Sequence, residues 1–262
     1  MKVETLVVTI NQKDFRLIEK MNIQTDAIIG NQSGVVGFEK FENDGKEIRW
    51  YNFADRGVGL NRNSVLMRSD ADICVLADDD MVFYDGYEKT VLKAFEDNKD
   101  ADVIIFNIDE TPTARYRNTR VRKISKFNYG RYGAARIAFR RDSVFFSGIS
   151  FNLLFGGGAI FSCGEDTLFL KDCLRCGLKM VGVPLSIARL ENDGRESTWF
   201  NGYTDKFFYD KGVLNYCINR RLAKLITIYH FIRHRKTYKE YGVKKAYKMM
   251  VKGIKDAKKK RI

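Results

Sequence analysis

Proline is almost missing from this chain, with 2 in 262 residues, so no proline-rich linker divides it. Histidine is as scarce, also 2, and both, His230 and His234, lie near the C-terminal end. No run of about 18 apolar residues occurs, which argues against a membrane-spanning helix. The opening MKVETLVVTI has too short an apolar part for a secretory signal and reads as a first strand. The five cysteines, at 74, 163, 173, 176 and 217, are odd in number and suit a reducing compartment better than a disulfide framework. Cys173 and Cys176 form a CxxC with no second pair and no histidine nearby, and read as ordinary thiols. Acid is missing from one region. Residues 213–262 hold 16 of the 46 Lys/Arg but only 2 of the 33 Asp/Glu. The first 212 residues therefore carry −1 and the tail carries +14, which together give the net +13. Such asymmetry points to an anionic partner for the tail, a membrane surface or nucleic acid.

With 45% hydrophobic residues the chain is long enough for one sizeable core and a small appendage. Glu4–Ile10 reads as a buried strand, KDFRLIEKM as a short helix, and TDAIIGNQ as a second strand. The stretch 37–53 reads as a hairpin turning at Asn43-Asp44-Gly45. Val58–Arg68 is a helix with Leu60, Val65 and Leu66 inward. A strand over Asp72–Ala77, a helix around Tyr87–Phe95 and a strand ADVIIFNI follow. Thr111–Asp142 is basic and irregular, and is expected to be a loop or hairpin insertion. Strands alternating with helices predict an α/β fold with a largely parallel sheet, whose ligand site lies at the carboxyl ends of the strands. Asn11-Gln12, Asn31-Gln32-Ser33 and Asp78–Asp80 all fall there.

Three adjacent aspartates, Asp78, Asp79 and Asp80, repel one another unless a cation relieves them. A hard divalent ion, Mn2+ or Mg2+, suits such a set and can bridge to phosphate oxygens. A solvated acidic turn is the plain alternative. Arg62, early in a helix, is placed to meet a phosphate, or is a surface arginine. Gly156, Gly157 and Gly158 permit close backbone approach to a ligand. Glu165 and Asp166 open a helix, as first-turn caps or with one of them as a general base.

The order GLNRN, then LADDDM, then GED resembles the family-2 glycosyltransferases over roughly residues 3–200. That resemblance implies a GT-A-type, Rossmann-like, mixed but mainly parallel sheet flanked by helices, here with a C-terminal basic helical extension. It implies a catalytic domain over 1–205 and a basic amphipathic helical region over 206–262. It assigns the nucleotide sugar, of the UDP type, to Thr9, Asn11, Asn31, Gln32, Arg62, Asp78, Asp79, Gly157 and Gly158. Asp78 and Asp80 would hold the metal, and Asp166 beside Glu165 would be the base of an inverting transfer. Two departures stand out: GNQS lacks the acidic residue usual at the end of the second strand, and ENDGREST (191–198) lacks a late histidine. Glu191, Asn192 or Asp193 are the substitutes on offer. ESTWFNGY resembles a segment of bacterial surface-polysaccharide transferases, with Trp199 a sugar platform or a core residue.

The tail repeats apolar residues at helical spacing, Val243, Ala246, Tyr247, Met250, Ile254 and Ala257, among lysines. Such a helix lies on anionic membranes, or packs by its stripe and leaves its lysines solvated. Peripheral attachment to the inner face of the plasma membrane from the cytoplasm follows, with a glycan or polyprenyl-linked acceptor. Two other readings remain. A nucleotidyltransferase would want a basic Gly-rich loop after the first strand, and INQKDF offers none. A nucleic-acid-binding module would use the tail, but the acidic strand ends argue against it, and no nucleic-acid partner is expected.

Overall fold

The computed structural model describes residues 1–110, 116–191, 202–234 and 238–262. Its apolar runs form the strands Val3–Ile10 (β1), Asp26–Gln32 (β2), Gly37–Asn43 (β3), Lys46–Phe53 (β4), Ile73–Asp78 (β5), Met81–Phe83 (β6), Val103–Asp109 (β7), Arg122–Lys123 (β8), Ile137–Arg140 (β9) and Met180–Leu190 (β10). Among the described residues they make one ten-stranded sheet, ordered β3-β4-β2-β1-β5-β9-β7-β10-β6, with β8 beside β10. β4, β2, β1, β5, β7 and β10 share one direction, while β3, β9, β6 and β8 oppose it. The expected α/β class with a mainly parallel sheet is therefore what forms.

The helices are Leu17–Lys20 (α1), Val58–Arg68 (α2), Tyr87–Asp97 (α3), Arg141–Phe146 (α4), Glu165–Arg175 (α5), Asp205–Ile218 (α6), Ala223–Arg233 (α7) and Val243–Lys260 (α8). One sheet face packs on Leu17, Ile18, Met21, Tyr87, Val91 and Phe95. The other packs on Val65, Leu66, Phe151, Phe169 and Leu170. Both faces are covered, so the inner strands are continuously apolar rather than alternating. In register, Thr9 lies beside Asn31 and Val8 beside Asp78. That alignment brings the polar ends of β1, β2 and β5 to one edge.

Several sequence expectations change. The expected helix over residues 13–21 shrinks to four residues. The expected loop over 111–142 contains β9, with Ile137, Ala138 and Phe139 fully buried between β5 and β7. Its apolar triplet is flanked by Arg136 and Arg140, and it becomes a strand because two strand edges await it. Arg136 is itself buried and pairs with Glu110 at 3.0 Å. The long β10 interrupts its register between Gly182 and Ser186, around Pro184, which has no N–H to give a ladder. The hairpin turn does form as read: Asp44 and Gly45 both take positive φ, 50° and 73°, as a two-residue turn of this kind requires.

In the tail, Ala246, Met250, Ile254 and Ala257 are buried as their spacing predicts, but against protein. α8 crosses α6 at glycines: a Cβ on Gly212 would lie 2.0 Å from the Met250 carbonyl oxygen, and one on Gly253 would lie 2.2 Å from that of Tyr209. The stripe expected to face a membrane is thus used by α6, while Val243 and Tyr247 stay exposed. One cluster joins Phe155, Phe161 and Leu168 to Val213, Leu214, Ile254 and Ala257, so the helical region abuts the loop that leads into α5.

Candidate active site

The site grows from the carboxyl edge of β1, β2 and β5. Thr9 is buried and donates to Asp79 Oδ2 at 2.5 Å, while Gln12 Nε2 donates to Thr9 Oγ1 at 2.9 Å. Asn31 is fully buried. Its Nδ2 donates to the Gln12 carbonyl at 2.9 Å and to Asn52 Oδ1 at 2.8 Å, and its Oδ1 accepts from Gln12 N–H at 3.0 Å. Gln32 Oε1 accepts the Gly57 N–H at 2.6 Å. Asn11 sits at φ 54° and its Oδ1 accepts from Arg56 at 3.0 Å. The amides at these strand ends therefore organise the rim, tying the β1 loop to the start of α2.

Asp78, Asp79 and Asp80 are all half-buried at the tip of β5. Asp78 Oδ1 accepts Arg62 Nη2 at 2.6 Å, and Arg62 Nη1 donates to Glu165 Oε1 at 3.0 Å. Arg62 is 4% exposed, and its guanidinium lies 5.4 Å over the Phe151 ring. Burial works against its charge, but Asp78 and Glu165 more than offset that and raise its pKa. Arg62, expected to meet a phosphate, bridges the acidic strand tip and the first turn of α5. It thereby links Asp78 and Glu165, and Asp166 is the next residue along α5.

Asp166 follows Glu165 in that turn. Its Oδ1 accepts the Thr167 N–H at 2.6 Å, and its Oδ2 faces Gly133, where a Cβ would lie 3.6 Å away. Burial and the neighbouring Glu165 push its pKa up to about 6, against the pull of the Thr167 N–H and Arg62. A carboxylate so poised takes a proton near neutral pH. Gly156 holds φ at 104°, and a Cβ there would strike Val58 and Glu165 at 2.5 and 2.9 Å, so no other residue fits. Gly157 accepts the Val58 N–H at 2.9 Å, and Gly158 lies against Gly57. These two glycines seat their loop on the start of α2.

The donor set at Asp78–Asp80 is hard oxygen, which fits Mn2+ or Mg2+ in chemistry. Among the described residues no three metal-ligating side chains converge. A divalent ion held by one or two carboxylates, with substrate phosphates and water completing it, suits such a set. Glu191 N–H donates to the Asp80 carbonyl at 2.8 Å, while the Glu191 side chain pairs with Lys20 at 3.3 Å. Asn192, Asp193 and Trp199 lie outside the described residues.

Sequence reasoning missed Asn52 and Arg56, and a cluster at the end of β7. There Asp109 accepts from Tyr84 at 2.7 Å and Ser186 at 3.0 Å, and pairs with Arg117. The polar end of FNID was the available signal.

The family model for Glycosyl transferase family 2 matches residues 36–155. Among solved structures, S. aureus TarS 1-349 in complex with UDP-GlcNAc is similar at a TM-score of 0.61 and 12% identity, covering 83% of this chain and 66% of that one. TarS 1-349 in complex with UDP gives 0.57 and 12%, covering 83% and 65%. The longer TarS structure gives 0.59 and 13%, covering 89% and 43%. The chain thus spans just under two thirds of the shorter TarS chains. Among curated proteins, no sequence matches it.

Proposed function

We propose that this chain, similar to the family-2 glycosyltransferases over residues 36–155 and in its fold, inverts the anomeric centre of a UDP-sugar as it moves the sugar to a hydroxyl. The acceptor is a glycan or a polyprenyl-linked glycan at the cytoplasmic face of an anionic membrane, met through residues 213–262. No helix among the described residues is long and apolar enough to cross a membrane. TarS has been crystallised with UDP-GlcNAc and with UDP, which supports the choice of donor.

The observation that carries the reading is Asp166. Burial and Glu165 push its carboxyl up to about 6, and Glu165 and Arg62 link that turn to the acidic strand tip. The acceptor oxygen attacks the anomeric carbon as the bond to the β-phosphate oxygen breaks. The proton of the hydroxyl passes to Asp166, and UDP leaves with the bonding electrons. Bound at Asp78 and Asp80, Mn2+ or Mg2+ would supply positive charge to the departing diphosphate. Arg62 keeps Glu165 and Asp78 paired and limits how far the pKa of Asp166 rises. Thr9, Gln12, Asn31 and Gln32 fix the nucleotide-side rim.

Asp166→Asn tests this. Loss of a general base costs about 10²–10⁴ in rate, while UDP binding by calorimetry survives. Undiminished transfer by that variant removes Asp166 from the role.

A further inference from the structure

Helix α7 is apolar on two opposite sides. Its inner side, Ala223, Thr227 and Phe231, is buried. The Thr227 hydroxyl is satisfied by Asn215 Nδ2 and by the Ala223 carbonyl, both at 2.9 Å. Its outer side, Leu222, Leu225, Ile228, Tyr229 and Ile232, is left in the open, with Leu225 62% and Ile232 73% exposed. One such residue on a surface is ordinary; five along one helical ridge mark a contact surface. Helical spacing puts Lys224 on one flank of the ridge and Arg233 on the other, and Arg221 stands just ahead of the helix. None of these three is ion-paired among the described residues, and the chain has no acid between Asp210 and Glu240.

The neighbouring α8 is more basic, yet its apolar stripe is already buried. What it turns outward is Lys244, Lys248, Lys252, Lys255, Lys258 and Lys259. Insertion needs apolar area that is still free. α8 has little and α7 has a whole face.

We propose that α7, not α8, enters an anionic bilayer interface. It lies flat with Leu225, Ile228, Tyr229 and Ile232 among the acyl chains, while the lysines of α8 attract the headgroups from outside. An 11-residue helix is about 16 Å long, too short to cross, and docking of its inner side leaves only the outer face to sink in. A ridge of aliphatic residues with a cationic fringe and no acid complements anionic lipid better than it complements a protein surface. The inference deepens the membrane attachment proposed above and is independent of the transfer chemistry, because α7 contributes none of the site residues.

The test uses the full chain and flotation with phosphatidylcholine vesicles, with and without phosphatidylglycerol. Leu225→Ser/Ile232→Ser is expected to lower partitioning onto the mixed vesicles by roughly tenfold or more, with melting temperature and UDP binding unchanged. Lys252→Gln/Lys255→Gln is expected to lower it in low salt and to matter little in high salt. Brominated lipid should quench the added fluorescence of Tyr229→Trp and spare that of Tyr247→Trp on α8. Equal partitioning of the α7 double variant and the unaltered chain overturns the proposal. So does quenching at position 247 alone, or self-association lost in the α7 variant while vesicle binding stays unchanged. Vesicle binding as expected in a chain that binds no nucleotide sugar would refute the proposed activity and leave this inference standing.

Discussion

Replacing Arg62 by Met is the sharpest perturbation the site offers. The side chain is nearly inaccessible and gives 2.6 and 3.0 Å bonds to Asp78 and Glu165. Removing the cation strands both carboxylates. Breaking a buried pair costs about 3–5 kcal/mol, and the lower end applies because the Asp78 side chain is 39% exposed and can turn to water. An unfolding entropy of about 2.1 cal/mol/K per residue over 262 residues turns about 3 kcal/mol into a drop in melting temperature of about 5 °C. Arg62→Met/Glu165→Gln should recover much of that loss, since it removes the more buried stranded charge.

Arg62→Met and Glu165→Gln, each alone, should move the acid limb of kcat/KM in opposite directions. Arg62 holds the pKa of Asp166 down and Glu165 holds it up. Transfer requires ionised Asp166, so the rate falls as pH drops through about 6 in the unaltered enzyme. The limb should shift to higher pH in Arg62→Met and to lower pH in Glu165→Gln. The stability sign is the reverse of the activity sign. A carboxyl raised on folding contributes stability that is present below its ordinary pKa of 3.8 and is lost as pH rises through about 6. An Arg62→Met enzyme with unchanged melting temperature and an unmoved acid limb would refute the bridge.

Asp80→Ala should weaken Mn2+-dependent UDP binding in calorimetry; equal affinity with and without a chelator in the unaltered protein would show that no metal takes part. Gly253→Ala gains helix propensity of about 1 kcal/mol but drives a methyl group into the Tyr209 carbonyl at 2.2 Å. Net destabilisation of about 1–3 kcal/mol is expected in urea, and a stabilised variant would contradict the close α6–α8 crossing. Burial lowers the pKa of His230 from 6.5 to about 3, and its Nδ1 has no partner among the described residues. The unfolded chain takes a proton there below pH 6.5 while the folded chain does not until about 3. The His230 contribution to stability should therefore fall by about 2 kcal/mol between neutral pH and pH 5, against the gain from Asp166 over the same range, and His230→Phe should leave the Asp166 gain alone.

The sequence by itself determined the strands whose apolar runs are long and uninterrupted, the Asp44-Gly45 turn, and the place of the acidic and amide residues at strand ends. Those signals are local: a run of five buried residues needs two covered faces wherever it lies, and polar residues that stop it fall at its end. Tertiary structure alone decided that β9 is a central strand, since three apolar residues among arginines become a strand only when two open edges flank them. It decided that Arg62 faces Asp78 and Glu165, 16 and 103 positions away, because a buried charge is paired by whichever carboxylates the fold brings to it. It also decided which of the last two helices is covered. Both carry apolar stripes, and nothing in either stripe tells which will find a partner; the glycines at 212 and 253 let α8 sink onto α6 and left the outer face of α7 to the solvent.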